Sequence, residues 1–397
     1  MVGTEVCVSI ERSKVKEFAV PGIELPRVNY GLPIFQTGQA PQAAGPPGAP
    51  QEAHVPDRLI DSHGRTIRDL RLSITDRCNF RCVYCMDPDF RYMTKQQLLS
   101  LDEYLRVTRI CIGLGIEKVR ITGGEPTLYP QLNELIVGLG CMSIRDLAMT
   151  TNGSLLGKLP VARWRQDGLR RITLSLDSLR PDRVQAITRT ATTPQSVIEA
   201  IRIAHSAGFS PVKVNAVIMR GVNDDEVADF ADFALEHGID MRLIEFMPLD
   251  SSRAWNRDDV VSADEMLAKI HARHRLIAVE DDDPSSTSMN FTFDEPNRSP
   301  QEAHPSHGSR ARIGIIAPVT RPFCGACSRL RITADGKVRP CLFSLTEWDL
   351  KPLLRSGASD EQVRAFIVDS VWTKQAGHGI GSRTFVQPPR TMSAIGG

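Results

Sequence analysis

Cys78, Cys82 and Cys85 place three thiols within eight residues, in the spacing C-x3-C-x2-C. A second triplet follows at Cys324, Cys327 and Cys341, where thirteen residues separate the C-x2-C pair from its third member. Thiolates in such runs hold zinc or iron–sulfur clusters, and closed sites of either kind take four ligands. Neither triplet has a fourth cysteine nearby, and no histidine stands near the first at zinc-site spacing. A zinc knuckle could borrow a distant ligand. A cubane on three thiolates would instead leave one iron open, which makes a site for chemistry. Taken alone, the second triplet reads as structural zinc; beside the first, it suggests a second cluster whose open iron takes the substrate.

Other polar groups gather where strands end. Thr122-Gly123-Gly124-Glu125-Pro126 closes one β-branched run, and paired glycines let a ligand approach the backbone. Thr150-Thr151-Asn152-Gly153, Ser175-Leu176-Asp177 and Glu245-Phe246-Met247 close three others. In βα architectures, sites form at the carboxyl ends of strands. Basic residues occupy the same runs: Arg71, Lys118, Arg120, Lys213 and Arg242, with Arg329 and Arg331 flanking Leu330 beside the second triplet. Period-two alternation puts each i, i+2 pair on one face. An unpaired charge buried in a sheet is costly. The basic set therefore predicts a polyanionic small molecule, whose phosphates suit guanidinium forks.

The elements that must position these groups are six short β-branched runs at 70–75, 118–122, 146–150, 171–176, 212–218 and 241–246, separated by helical patterns. Such alternation predicts an α/β fold, a closed or open βα barrel of six parallel strands with helices outside. Ser100–Glu103 and Asn223–Glu226 read as capping boxes opening two of the helices. Cys111 falls on an apolar stripe and reads as a buried structural thiol; Cys141 reads the same way, and Cys7 has no assignment.

Residues 36–56 are rich in Pro, Gly, Ala and Gln, which predicts a flexible linker. The domain division is thus an N-terminal extension over 1–57, largely disordered, a core over 58–275, and a C-terminal region over 276–397. Residues 281–310 are polar and predict a mobile loop, whose His304 and His307 are solvated side chains or metal ligands.

Forty-eight basic residues against 47 acidic give a net charge of +1, with 41% apolar and 24% charged residues among 397. No global basic field is available for nucleic acid, and no run of 18 apolar residues suits a membrane helix. Glu5 and Glu11 interrupt anything resembling a leader peptide. A cytoplasmic protein is expected, in which clustered cysteines hold metal and not disulfides.

With these motifs in this order, the chain resembles the radical S-adenosylmethionine superfamily, whose cysteine motif stands here as Cys78, Cys82 and Cys85 with the aromatic Tyr84 before the last. The resemblance implies a 4Fe–4S cluster whose open iron binds S-adenosyl-L-methionine. Tyr84, Gly123, Gly124, Glu125, Asn152, Ser175 and Met247 would contact that cofactor. One-electron cleavage would yield methionine and a 5′-deoxyadenosyl radical. Within the superfamily, "DLRLSITDRCNFRCVYCM", "VRITGGEPTL", "RLIEFMP", "PFCGACSRLRITADGKVRPCLF" and "TMSAIGG", with Asp61, Gly64, Arg65 and Thr66 before the first strand, resemble the GTP 3′,8-cyclase family of molybdenum cofactor biosynthesis. The likeness runs over nearly everything from Asp61 to Gly397.

That second resemblance implies an open, incomplete barrel whose C-terminal extension carries a second 4Fe–4S cluster on Cys324, Cys327 and Cys341. It implies GTP contacts at Arg71, Arg120, Thr150, Lys213, Arg329, Leu330 and Arg331. Arg71, Lys118, Arg120, Arg242, Gly396 and Gly397 become the residues of catalysis, the glycines threading into the pocket where only glycine fits. Without the resemblance, 395–397 would read as a frayed end; His378 either orders the approach of that tail or is an ordinary turn histidine. The reaction implied is hydrogen abstraction at ribose C3′ and bonding of C3′ to C8. Its partners would be a reductant of flavodoxin or ferredoxin type and, downstream, cyclic pyranopterin monophosphate synthase; the chain would be a monomer or homodimer. Met86-Asp87-Pro88 departs from the family, where proline directly follows methionine, and 294–310 matches poorly. Two other readings are a peptide-modifying enzyme of the same superfamily, with its extra cluster, and a non-catalytic zinc or nucleic-acid module.

Overall fold

A computed structural model describes residues 57–280, 283–294 and 311–396. The linker, Cys7, His304, His307 and Gly397 lie outside the described residues. A short hairpin, β1 (Leu59–Ile60) with β2 (Thr66–Ile67), leads into the main sheet. There, side-chain alternation decides what faces where. In β3 (Asp69–Ser73), Leu70 and Leu72 are buried while Arg71 takes the other face. In β4 (Lys118–Thr122), Val119 and Ile121 are buried and Arg120 stands opposite Arg71. The apolar face packs against helices, and full burial of each such side chain is worth about 1.5–3 kcal/mol.

The pattern repeats in β5 (Asp146–Thr151), β6 (Arg171–Ser175), β7 (Lys213–Ile218) and β8 (Asp240–Glu245), each parallel to the last. These are the six runs read from sequence. The region after 275 adds strands at both sides of them. On one side lie β9 (Leu276–Val279), β10 (Met289–Phe293) and β11 (Arg312–Ile316), with β11 parallel to β8. On the other lie β12 (Arg329–Ile332), parallel to β3, then β13 (Lys337–Arg339) and β14 (Trp348–Asp349). Eight strands are therefore parallel within one 12-stranded sheet whose outermost strands, β14 and β9, do not pair with each other.

The helix Leu101–Gly113 begins with the Ser100–Glu103 capping box, as its sequence indicates. The box expected at Asn223–Glu226 does not form. Asn223 instead accepts from the Met219 N–H and donates to the carbonyls of Asp177 and Val217. Glu226, fully buried, accepts from Ser178 Oγ, the Leu179 N–H and Arg183. Both side chains turn inward because the loops at the ends of β6 and β7 carry buried polar groups that no water reaches. Cys111 is buried as expected, but Cys141 is exposed, since it caps the helix Leu132–Gly140 beyond that helix's apolar stripe. No described helix is long and apolar enough to cross a membrane.

Without Glu226 the buried Ser178 hydroxyl and the Leu179 N–H lose their acceptor, at a cost of about 1–3 kcal/mol each, while Arg183 keeps Asp225. Glu226→Ala is therefore expected to destabilise the chain by that order in chemical denaturation. A loss under about 1 kcal/mol, the range of exposed pairs, would show that Glu226 does not hold the two loops together.

Candidate functional site

One cavity of about 310 Å³ is lined by both cysteine triplets and by side chains from β3, β4, β5, β6, β7, β8, β11 and β12. Residues from all eight parallel strands meet there, so the sheet curls around it. The first triplet sits on the loop after β3. The N–H groups of Cys85 and Met86 donate to the Cys82 carbonyl, and those of Arg81 and Val83 donate to Thr188 and Ile187. Burial pushes the Cys78 thiol up to about 11 and the Cys85 thiol to about 12, and raises Cys82 well above its ordinary value. Metal binding must therefore release these protons.

Among the described residues, no three Cys, His, Asp or Glu donors converge as a single ion would require.

The Gly123–Gly124 turn is where the cluster loop is seated. A Cβ on Gly123 would lie 2.6 Å from the Thr75 carbonyl oxygen, and one on Gly124 2.3 Å from that of Arg77. The Gly124 N–H donates to Thr75 and the Glu125 N–H to Arg77, each at 2.7 Å. The glycines thus admit the chain that leads into Cys78, a reason the sequence reading did not supply. Glu125 is buried and accepts from the Thr127 N–H and hydroxyl, the Thr151 hydroxyl and the Asn152 N–H. Burial pushes its carboxyl up against the pull of those donors. Asn152 in turn donates to Asn79 in the cluster loop. Tyr84 donates to Asp177 at 2.7 Å, and burial pushes Asp177 up to about 6. Ser175 and Met247 line the cavity. So does Asn215, whose side-chain oxygen is buried without a described partner and which no motif or spacing singles out.

Of the basic residues, Arg71, Arg120, Arg242, Arg329 and Arg331 line the cavity. Arg331, Arg71 and Arg120 are lateral neighbours on three paired strands. Arg120 donates to Thr150 and Thr173, while none of Arg71, Arg120, Arg329 and Arg331 forms an ion pair with a described carboxylate. Burial lowers Arg120 to about 9 and Arg331 to about 10, and repulsion from the other guanidiniums adds to both; Arg71 is lowered likewise. Lys118 and Lys213 are not brought to the cavity wall. Lys118 is paired with Asp283 and stands 4.0 Å from Asp69, and Lys213 is paired with Asp240 at 2.8 Å. Both lie at the amino ends of their strands, where carboxylates meet them. Leu330 turns into the core, so only its backbone is available to a ligand.

The second triplet enters from the far side. Cys324 lies on the turn Cys324–Ala326, and Cys341 follows β13. Although burial pushes the Cys327 thiol up, Arg329 and Lys374 beside it bring it down to about 6. His378 accepts from the Ile380 N–H at Nδ1, which leaves Nε2–H to donate to the Pro318 carbonyl. It lines the cavity as a neutral, fixed ring. Segment 391–396 closes the remaining side. Arg390 anchors it through Asp335 and Glu347. The helix Met392–Ile395 follows, and Gly396 at φ +80° rests between Ser73 and Thr122, where a Cβ would come within 2.8 Å of each.

The fold and the first cysteine motif define a member of the radical S-adenosylmethionine enzymes. The Radical SAM superfamily model matches residues 72–234, and the Molybdenum Cofactor Synthesis C model matches residues 239–380. The structure of Streptococcus suis SuiB bound to S-adenosylmethionine shares the fold at a TM-score of 0.53 and 15% identity, over 77% of this chain and 69% of that one. GTP 3′,8-cyclase of Streptomyces coelicolor is 43% identical over 348 residues, covering 87% of this chain and 97% of its own length. That of Mycolicibacterium smegmatis is 40% identical over 371 residues, covering 92% and 98%. The chain belongs to the GTP 3′,8-cyclase family.

In the metal-free chain, Arg329 and Lys374 favour the thiolate of Cys327, whereas burial favours the protonated thiols of Cys78, Cys82 and Cys85. Of these four, iodoacetamide is expected to label Cys327 first, as read by mass spectrometry of labelled peptides. Labelling of Cys85 ahead of Cys327 would contradict the environments described.

Proposed function

We propose that this chain cyclises GTP to (8S)-3′,8-cyclo-7,8-dihydroguanosine 5′-triphosphate, the first step of molybdenum cofactor biosynthesis, in the cytoplasm. The observation that carries it is the row Arg331, Arg71 and Arg120, side by side without carboxylate partners in the cavity that both triplets line. Guanidinium forks in that setting call for a ligand bearing several anionic oxygens. Cys78, Cys82 and Cys85 would hold the first 4Fe–4S cluster and Cys324, Cys327 and Cys341 the second, at the two ends of an open barrel. When bound, the first cluster and S-adenosyl-L-methionine supply the one-electron cleavage that leads to hydrogen abstraction at ribose C3′.

The chain's own residues then do three things. Tyr84, Gly123, Gly124, Glu125, Asn152, Ser175 and Met247 seat the cofactor. Arg71, Arg120, Thr150, Arg329 and Arg331 hold GTP, with Arg242 on the same wall. Gly396 closes the wall near Ser73 and Thr122, and Gly397, outside the described residues, is assigned to catalysis with it. Holding C3′ and C8 in a near-attack arrangement is the catalytic task, because a free carbon radical reacts elsewhere. Lys118 and Lys213 would join only if the triphosphate displaces their carboxylate partners. A flavodoxin- or ferredoxin-type reductant would supply the electron, and cyclic pyranopterin monophosphate synthase would take the product.

The test is turnover of GTP with S-adenosyl-L-methionine and a one-electron reductant, after anaerobic reconstitution to about eight irons for two cubanes. The cyclised nucleotide and 5′-deoxyadenosine are expected together. Stoichiometric zinc without iron, or 5′-deoxyadenosine made with a peptide and none with GTP, would overturn the reading. Arg71→Ala and Arg331→Ala are each expected to weaken GTP binding roughly 10- to 100-fold, by the loss of charged hydrogen bonds. Unchanged affinity in both would remove the phosphates from this wall.

A further inference from the structure

The three thiols of the second triplet come from two loops that no ladder joins at that point. The β12–β13 pairing stops at Arg331 opposite Arg339. Leu330 and Pro340, next in that register, and Arg329 and Cys341 beyond them are not paired in the ladder. Into the opening comes Lys374, whose Nζ donates to the Arg329 carbonyl at 2.7 Å and to the Pro340 carbonyl. One ammonium thus spans the strand leaving Cys327 and the residue just before Cys341.

Arg65, from the β1–β2 hairpin, fastens the remaining cysteine to the same place. It donates to the Cys324 carbonyl at 2.7 Å, to Ala376 at 3.0 Å and to Gln375 at 2.7 Å, while Nε is held by Asp61 at 2.6 Å. Residues 374–376 are therefore the common anchor for all three thiol-bearing segments. Lys374 is only 3% exposed, and no described carboxylate pairs with it. A buried cation without a counter-ion is costly. Three thiolates and the cluster on them would bring the missing negative charge beside it.

We propose that Arg65 and Lys374 form a buried clamp that sets the spacing of Cys324, Cys327 and Cys341 and so positions the second cluster at the substrate cavity. Neither residue touches GTP or the reacting atoms; both act through the thiol loops. The proposal rests on the reading that these three cysteines hold a cluster.

The test compares Lys374→Met, Arg65→Gln and Arg65→Lys with the wild type after reconstitution. Iron content, the electron paramagnetic resonance signals of the two clusters and GTP affinity are read for each. Lys374→Met and Arg65→Gln are expected to hold about four irons instead of about eight, to keep the first cluster's signal and its slow cleavage of S-adenosyl-L-methionine, and to bind GTP at least tenfold more weakly. Arg65→Lys keeps the charge but loses the fork, so partial recovery of the second signal is expected. The retained first cluster reports that the variants fold. Two full clusters and GTP affinity within about twofold of wild type in Lys374→Met and Arg65→Gln would overturn the clamp alone. About four irons in the wild type itself would overturn the reading on which it rests, and the clamp with it.

Discussion

Like charges on adjacent strands repel, and this chain places three guanidiniums side by side at Arg331, Arg71 and Arg120, with Arg242 and Arg329 on the same cavity. Nothing in a sheet requires that. The apolar faces of β3, β4 and β12 would pack as well with threonine in those positions. The cost is visible in the lowered proton affinity of each guanidinium, where burial acts first and the neighbouring cations add to it. A polyanion relieves both terms at once. The rest of the site is arranged around this row, which shares one cavity with both cysteine triplets.

Elsewhere the chain pairs its charges. Asp146 meets Arg171, Asp240 meets Lys213, and Asp283 meets Lys118 and Arg68, all at the amino ends of the strands. Carboxylates are thus available to the same strands a few residues away, yet among the described residues none pairs with Arg71, Arg120 or Arg331. The contrast separates structural cations from those left for a ligand. Two further devices keep the wall in place: the Gly123–Gly124 turn, into which the chain before Cys78 fits, and segment 391–396, anchored by Arg390 and resting on Ser73 and Thr122 through Gly396.

Much of this was legible in the sequence because it is periodic or local. Six strands announced themselves by β-branched runs between helical patterns, and the triplets, the GGE turn and the basic pairs fell on them at fixed spacing. What escaped depends on partners far along the chain. Lys118 and Lys213 looked like cavity cations until Asp283 and Asp240 met them. Asn223 carries the letters of a cap but is drawn into the β6 and β7 loops. Strands β11 and β12 are five and four residues long and join the parallel sheet by docking on β8 and β3, far along the chain. Arg65 stood out only as part of a family resemblance and Lys374 not at all, because a lone cation reaching distant carbonyls has no period.

The central claim is that the cavity's guanidinium row awaits a polyphosphate. It is tested most directly by thermal unfolding of the reconstituted protein with GTP, with inorganic triphosphate and with guanosine, at low and high salt. GTP and triphosphate should both raise the midpoint, by about 2.7 kcal/mol of stability at a hundredfold excess over Kd, with the triphosphate effect fading as salt rises. Stabilisation by guanosine equal to that by GTP, with none from triphosphate, would contradict it.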